Sequence, residues 1–205
     1  MKKKSLLKIA LLLIALCMGI MAVYFLRFRG SQVISVSKSA EDIVPCENVI
    51  LFRQDDERWA ADKLGSSVYS MKKSGCLVTC IASALSMENM VVSPDSLNTL
   101  FSSNNVYDRE GNLQWDPLRQ LDGGETYEVE VFSSVTEEVL RDCLKQGKFP
   151  IVRVRMNGLG NFHYVLVVKL ENGQYFCMDP LKDQLQPLSH YGNRVYAVRC
   201  VSAQQ

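Results

Sequence analysis

The sequence predicts an α+β architecture, with helices in the first half packed on an antiparallel sheet in the second and one membrane helix ahead of both. Three observations predict it. Residues 6–26 form a nearly continuous apolar run, interrupted only by Lys8, long enough to cross a hydrocarbon core of about 30 Å. Three segments between residues 76 and 146 carry the spacing and end signals of helices. After Gly147 the chain turns to segments rich in β-branched and aromatic residues, which suit a pleated, half-buried surface.

The apolar run comes first. Lys2, Lys3, Lys4 and Lys8 stand at its start, and only Arg27 and Arg29 follow closely. The positive-inside bias therefore favours a cytoplasmic N-terminus and an extracytoplasmic C-terminal domain. The alternative is a cleaved signal peptide and a secreted domain. Such peptides have an apolar region of about 7 to 15 residues ending at small side chains, whereas Tyr24-Phe25-Leu26-Arg27-Phe28-Arg29 follows here. An uncleaved, single-pass signal anchor is preferred. Residues 1–5 then form a cytoplasmic tail, 6–26 the anchor, 27–42 a stalk of mixed Ser, Gln, Lys and Val, and 43–205 one folded domain.

Within that domain, residues 76–87 place Leu77, Cys80, Ile81, Ala84 and Leu85 at helical spacing without Gly or Pro, which predicts a buried helix. Ser74 and Gly75 can turn or cap the chain just before it and set Cys76 in its first turn. A second helix is expected over 94–102, with Ser93 as cap and Pro94 at its first position, and a third over 136–146, with Glu137 and Glu138 early and Gly147 as stop. Strands are expected over 149–155, 162–170, 174–178 and 195–201. Asn172-Gly173 reads as a tight hairpin turn between the middle two. In a regular hairpin Asp179 would face roughly Leu166, so His163 and Asp179 meet only through twist, a bulge or an extended strand end.

Composition excludes several classes. A net charge of +1 with evenly spread charges gives no basic stripe for nucleic acid. Cys76 and Cys80 lack the paired groups and histidines of a structural zinc site, and neither a metal nor an organic cofactor is implied. Setting aside Cys17 and Cys76 leaves Cys46, Cys80, Cys143, Cys177 and Cys200, an odd number in a compartment that permits disulfides, so no pairing is assigned.

The chemistry-bearing residues are few, because the chain has seven cysteines but two histidines, His163 and His190. His190 lies in the polar run Ser189-His190-Tyr191-Gly192-Asn193 and reads as solvated, leaving His163 as the base available to a thiol. The exposed amides and positive dipole end of a helix stabilise an anion, so a cysteine in a first helical turn can serve as a thiolate. Taken singly, each residue has a bland reading. Cys76 is also an ordinary core thiol, His163 a satisfied strand histidine, Asp179-Pro180 a turn, and Gln54 a bridge near Asp55-Asp56; Trp59 reads as core.

Four motifs in order change the balance: Gln54 in Arg53-Gln54-Asp55-Asp56-Glu57-Arg58-Trp59, Ser74-Gly75-Cys76, Phe162-His163-Tyr164-Val165, and Met178-Asp179-Pro180. With them, residues 49–180 resemble the papain-like cysteine peptidases related to bacterial bacteriocin leader-processing enzymes. The resemblance implies a papain-like fold, with Cys76 as nucleophile, His163 as general base and acid, Asp179 orienting the imidazole and Gln54 donating to the oxyanion. The chain departs from that family in having Leu77-Val78 after the cysteine, which implies an altered cleft beside it. The expectation is a membrane-anchored extracytoplasmic thiol protease acting on peptide or isopeptide bonds of a peptide or protein substrate. The alternatives are a transpeptidase or amide transferase using the same residues, or a non-catalytic surface peptide-binding module. The loop over 104–124, with Trp115, Asp116 and Gly123-Gly124, is expected to shape the ligand surface. No transporter or ATP-binding motif is present, so any exporter function would come from a separate membrane partner.

Overall fold

The computed structural model describes residues 2–37, 40–121 and 127–203; Gly123-Gly124 lie outside the described residues. The chain divides into two compact units, Met1–Ser31 and Gln32–Gln205. The first is the helix α1, Lys2–Phe28, in which Leu11–Phe28 has a mean hydropathy of 2.3 and qualifies as a candidate span by length and composition. A signal sequence meets the same criteria.

The second unit is mixed helix and sheet. It contains β1 (Gln32–Val33), α2 (Met71–Ser74), α3 (Cys76–Met87), α4 (Pro94–Ser103), α5 (Trp115–Arg119), β2 (Tyr127–Val131), α6 (Glu137–Lys145), β3 (Ile151–Arg155), β4 (Phe162–Glu171), β5 (Gln174–Met178), β6 (Gln186–Pro187), β7 (Arg194–Val195) and β8 (Ala197–Ala203). Six strands form one antiparallel sheet in the order β2-β8-β3-β4-β5-β6. Alternation in each strand decides which residues meet the helices. Pairing sets Val154 opposite His163 and Val152 opposite both Val165 and Val198. His163, Val165, Val152, Val198 and Cys200 therefore share a face, and all are buried. Helix α3 contributes Val78, Cys80, Ile81, Ala82, Ala84 and Leu85 to the core beside them.

Local signals explain the helix ends. Ser93 and Ser96 form a reciprocal capping box with Pro94 in the first turn of α4. The Thr136 hydroxyl accepts a bond from the Val139 amide at the start of α6. Asn172 and Gly173 both have positive φ, 51° and 70°, as a type I′ turn requires.

Several findings depart from the sequence reading, among them the short helix α5 inside the stretch 104–124 that reads as a loop in the sequence. Gln32–Val33 pair with Arg194–Val195, the Ile34 amide donates to the Asn193 carbonyl at 2.8 Å, and Ile34 is buried. This stretch, assigned to the stalk by composition, is thus docked on the domain through partners some 160 positions away, which composition does not register. The edge strand β2 was also unanticipated, although Tyr127-Glu128-Val129-Glu130-Val131 alternates as a half-buried strand does.

Candidate active site

The site begins at the junction of α2 and α3. Gly75 is the hinge between them, its amide donating to the Met71 carbonyl at 2.7 Å and its carbonyl accepting from Thr79. A Cβ there would lie 2.6 Å from the Met71 oxygen and 2.9 Å from its Cα, so the close turn requires glycine. The following residue, Cys76, opens α3 half-buried and borders a cavity of about 280 Å³.

His163 comes from the first residues of β4, where the sheet face meets the N-terminal end of α3. Its Nε2 lies 2.7 Å from Asp179 Oδ1, and Cys76 is near enough to act on the charge of the ring, which leaves Nδ1 as the nitrogen free to serve the cysteine. Burial disfavours the imidazolium, but the Asp179 hydrogen bond and the influence of Asp179 and Cys76 outweigh it and push His163 up to about 9. Asp179 is equally enclosed. Burial works to raise its pKa, yet the His163 contact, the Tyr191 hydroxyl and the Leu181 amide hold the carboxyl below its ordinary range.

A register shift makes this contact reachable. From the turn to Lys169 the hairpin pairs Glu171 with Gln174, Leu170 with Tyr175 and Lys169 with Phe176; past a bulge at Val168 it pairs Val167 with Cys177 and Leu166 with Met178. Without the extra residue Asp179 would align with Leu166, on the face opposite His163. With it, the line of pairing carries Asp179 toward Val165, a same-face neighbour of His163. The bulge is one of the devices anticipated for bringing the pair together.

Tyr191 was missed by the sequence reading. It lies in the 3-10 turn Leu188–Tyr191, is buried to 1% exposure, and donates its hydroxyl to Asp179 Oδ2 at 2.5 Å. The carboxylate thus has one oxygen on the histidine and the other on the tyrosine. Its own sequence neighbourhood is polar and loop-like, so no local signal exists for this role. The adjacent His190 is exposed, with its ring edge-on to Tyr191.

Gln54 is buried beside these residues. Trp59, fully in the core, donates its indole N–H to the Arg53 carbonyl at 2.8 Å, and Arg53 pairs with Asp55 and Asp183. The Gln54 amide donates to the Pro180 carbonyl at 3.0 Å, and its side-chain Nε2 donates to the Lys72 carbonyl at 2.8 Å. Gln54 therefore links the Asp179-Pro180 turn to the approach to α3. One of its two side-chain amide hydrogens is engaged by Lys72, leaving the second for another acceptor.

The cavity wall beyond Cys76 includes Leu77, Val78, Tyr107, Glu110, Gly111, Leu113 and Tyr164. Leu77-Val78, the departure noted above, thus borders the space next to the thiol. Asp108 stiffens the opposite rim by accepting from the Glu110 and Asn112 amides and from the Asn112 and Gln114 side chains.

No protein-family model matches the sequence, and no curated protein matches it. Among solved structures the fold is similar to a candidate C39-like peptidase from Bacillus anthracis, with a TM-score of 0.54 and 14% identity over 81% of this chain and 98% of that one. The chain therefore has a C39-like fold.

Proposed function

We propose that the chain is a membrane-anchored, extracytoplasmic cysteine peptidase acting on peptide or isopeptide bonds. The observation that carries this reading is the continuous line Cys76–His163–Asp179–Tyr191, built from α3, β4, the end of β5 and a distant turn. A buried carboxylate fixing an imidazole against a half-exposed thiol is the arrangement that nucleophilic catalysis needs. The apolar helix α1 supports the anchor.

In this mechanism the Cys76 thiolate attacks the substrate acyl carbon. His163, charged at neutral pH, donates its Nδ1 proton to the departing amine, leaving an acyl-enzyme. His163 then takes a proton from water as that water attacks, and the acid is released with Cys76 regenerated. The Cys76 backbone amide and the second Gln54 side-chain hydrogen face the charge that develops on the carbonyl oxygen. If a peptide amine replaces the water, the same steps transfer the acyl group.

The test is the alkylation rate of Cys76 against pH in the full-length chain in detergent, followed by peptide mass spectrometry. A thiolate reactive below neutral pH in the native protein, and lost in His163→Ala, supports the reading. An ordinary thiol profile unchanged by His163→Ala overturns it in favour of a non-catalytic peptide-binding module. Product analysis with added amine separates hydrolysis from transfer.

A further inference from the structure

We propose that Cys143 and Cys200 close into a disulfide that staples α6 to β8. The Cys200 thiol points at the Cys143 sulfur, 3.2 Å away and 57 positions distant in sequence, and both are buried, at 1% and 4% exposure. Bond formation at about 2.0 Å asks the sulfurs to approach by only a little over 1 Å. The pair is unlike the other thiols described in the domain. Cys46 reaches the Asn48 carbonyl and the Met87 sulfur, and Cys80 the Tyr164 carbonyl. Within the described residues, a cysteine-to-cysteine hydrogen bond occurs at Cys143 and Cys200.

The position has structural logic. Cys200 lies on the sheet face that carries His163. Helix α6 is tied near its start by Tyr175, whose hydroxyl reaches the Glu137 carboxylate at 3.0 Å. Cys143 sits in its last turn, so a bond to Cys200 would fix the opposite end. Leu140 and Leu144 on the same helix are already in the core, so the staple constrains a surface that packing has placed.

The thiols are also electrostatically prepared. Hydrogen bonding from Cys200 lowers the Cys143 pKa against the effect of burial, with the Lys148 ammonium assisting, while the same contact and burial push Cys200 up. Closure needs an external oxidant of the disulfide class. The Cys143 thiolate attacks that disulfide and releases one thiolate. The Cys200 sulfur, losing its proton, then attacks the mixed disulfide at Cys143 and releases the second. Two protein thiols are oxidised, one external disulfide is reduced to two thiols, and two protons leave the protein sulfurs. Cys76 must remain a thiol for the proposed chemistry. Cys80, one helical turn further, is fully buried, which holds its pKa well up and keeps it a poor competitor.

The experiment is independent of which side of the membrane the domain occupies. Full-length chain, reduced and held in detergent, is equilibrated in a buffer of oxidised and reduced glutathione, blocked with N-ethylmaleimide under denaturing conditions, and digested without reduction. The expected result is a single linked peptide joining Cys143 to Cys200, two hydrogens lighter than its parts, with Cys76 alkylated. Maleimide or glutathione on both cysteines, with no linked peptide, overturns the proposal. To avoid dependence on single substitutions at this packed contact, the second readout is the melting temperature of the unmodified chain. It should fall by roughly 10 °C on reduction, and the double variant Cys143→Ala/Cys200→Ala should be insensitive to reductant. An unmodified chain whose melting temperature ignores reductant sinks the stapling role.

Discussion

The two sides of the His163 ring are built in opposite ways. On the Nε2 side, Asp179 and Tyr191 are each about 1% exposed, and the carboxylate oxygens are both engaged. On the Nδ1 side, Cys76 is half-buried at the rim of an open cavity. Orientation is strengthened by excluding water, since a buried charge interaction is screened little, whereas attack on a substrate requires access. A peptidase of the kind proposed above would meet both demands by this placement of the histidine at the boundary, where sheet core gives way to cavity.

The largest expected effect breaks the buried side. Asp179→Asn keeps the shape and removes the charge, and kcat should fall on the order of 10³-fold. His163 should drop from about 9 toward its ordinary value, moving the basic limb of the rate profile to lower pH. An unchanged limb would show that Asp179 does not set the ring's charge. The same pair makes a stability prediction with a definite sign. His163, raised from 6.5 to about 9, contributes fully below 6.5 and loses that contribution as pH rises through 9. Asp179, held below 3.8, contributes above that value and loses its contribution as pH falls through its folded pKa. Melting temperature should therefore decline as pH rises from 6.5 to about 9 and again as it falls below 3.8, and Asp179→Asn should flatten both declines.

A smaller effect tests the open side. Gln54→Glu retains size but, ionised, loses the donor, so kcat should fall about 10²-fold with KM little changed. Loss of the Lys72 contact should lower stability by about 1 kcal/mol, read from denaturant unfolding. A KM effect without a kcat effect would make Gln54 a substrate contact.

The smallest change sharpens the buried side. Tyr191→Phe should reduce kcat/KM about 10-fold, the scale of one hydrogen bond to a charged group. Asp179 would then be less depressed, so the acid-side loss of melting temperature should be smaller, and complete at higher pH, than in the unmodified chain. A Tyr191→Phe acid transition superimposing on the unmodified one would make the tyrosine mere packing.

Much of the scaffold was legible because its signals are local. Cys76–Met87, the Ser93-Pro94 start and the Asn172-Gly173 turn are each fixed by neighbours a few residues apart. The hairpin register was legible only to Lys169, since the bulge at Val168 sits within a run of buried residues, Val165 to Val168, that reads the same with or without it. Tyr191 was illegible because its partner lies on another element, and Gln32–Val33 because pairing with β7 closes nearly the whole domain. The order of Gln54, Cys76, His163 and Asp179 could be read; the side-chain contact from Gln54 to the Lys72 carbonyl could not.

The bulge at Val168 makes the site depend on counting. Along an alternating strand each added or deleted residue exchanges inside for outside, so the chain between His163 and Asp179 behaves like a parity check. A single deletion that smoothed the ladder would turn the carboxylate to the far face of the sheet while leaving every residue type at the site intact. The length of this hairpin tolerates change in steps of two, or in one step compensated by another. A relative that retains the cysteine, histidine and aspartate with an uncompensated odd change in that interval would retain the motif and lose the geometry.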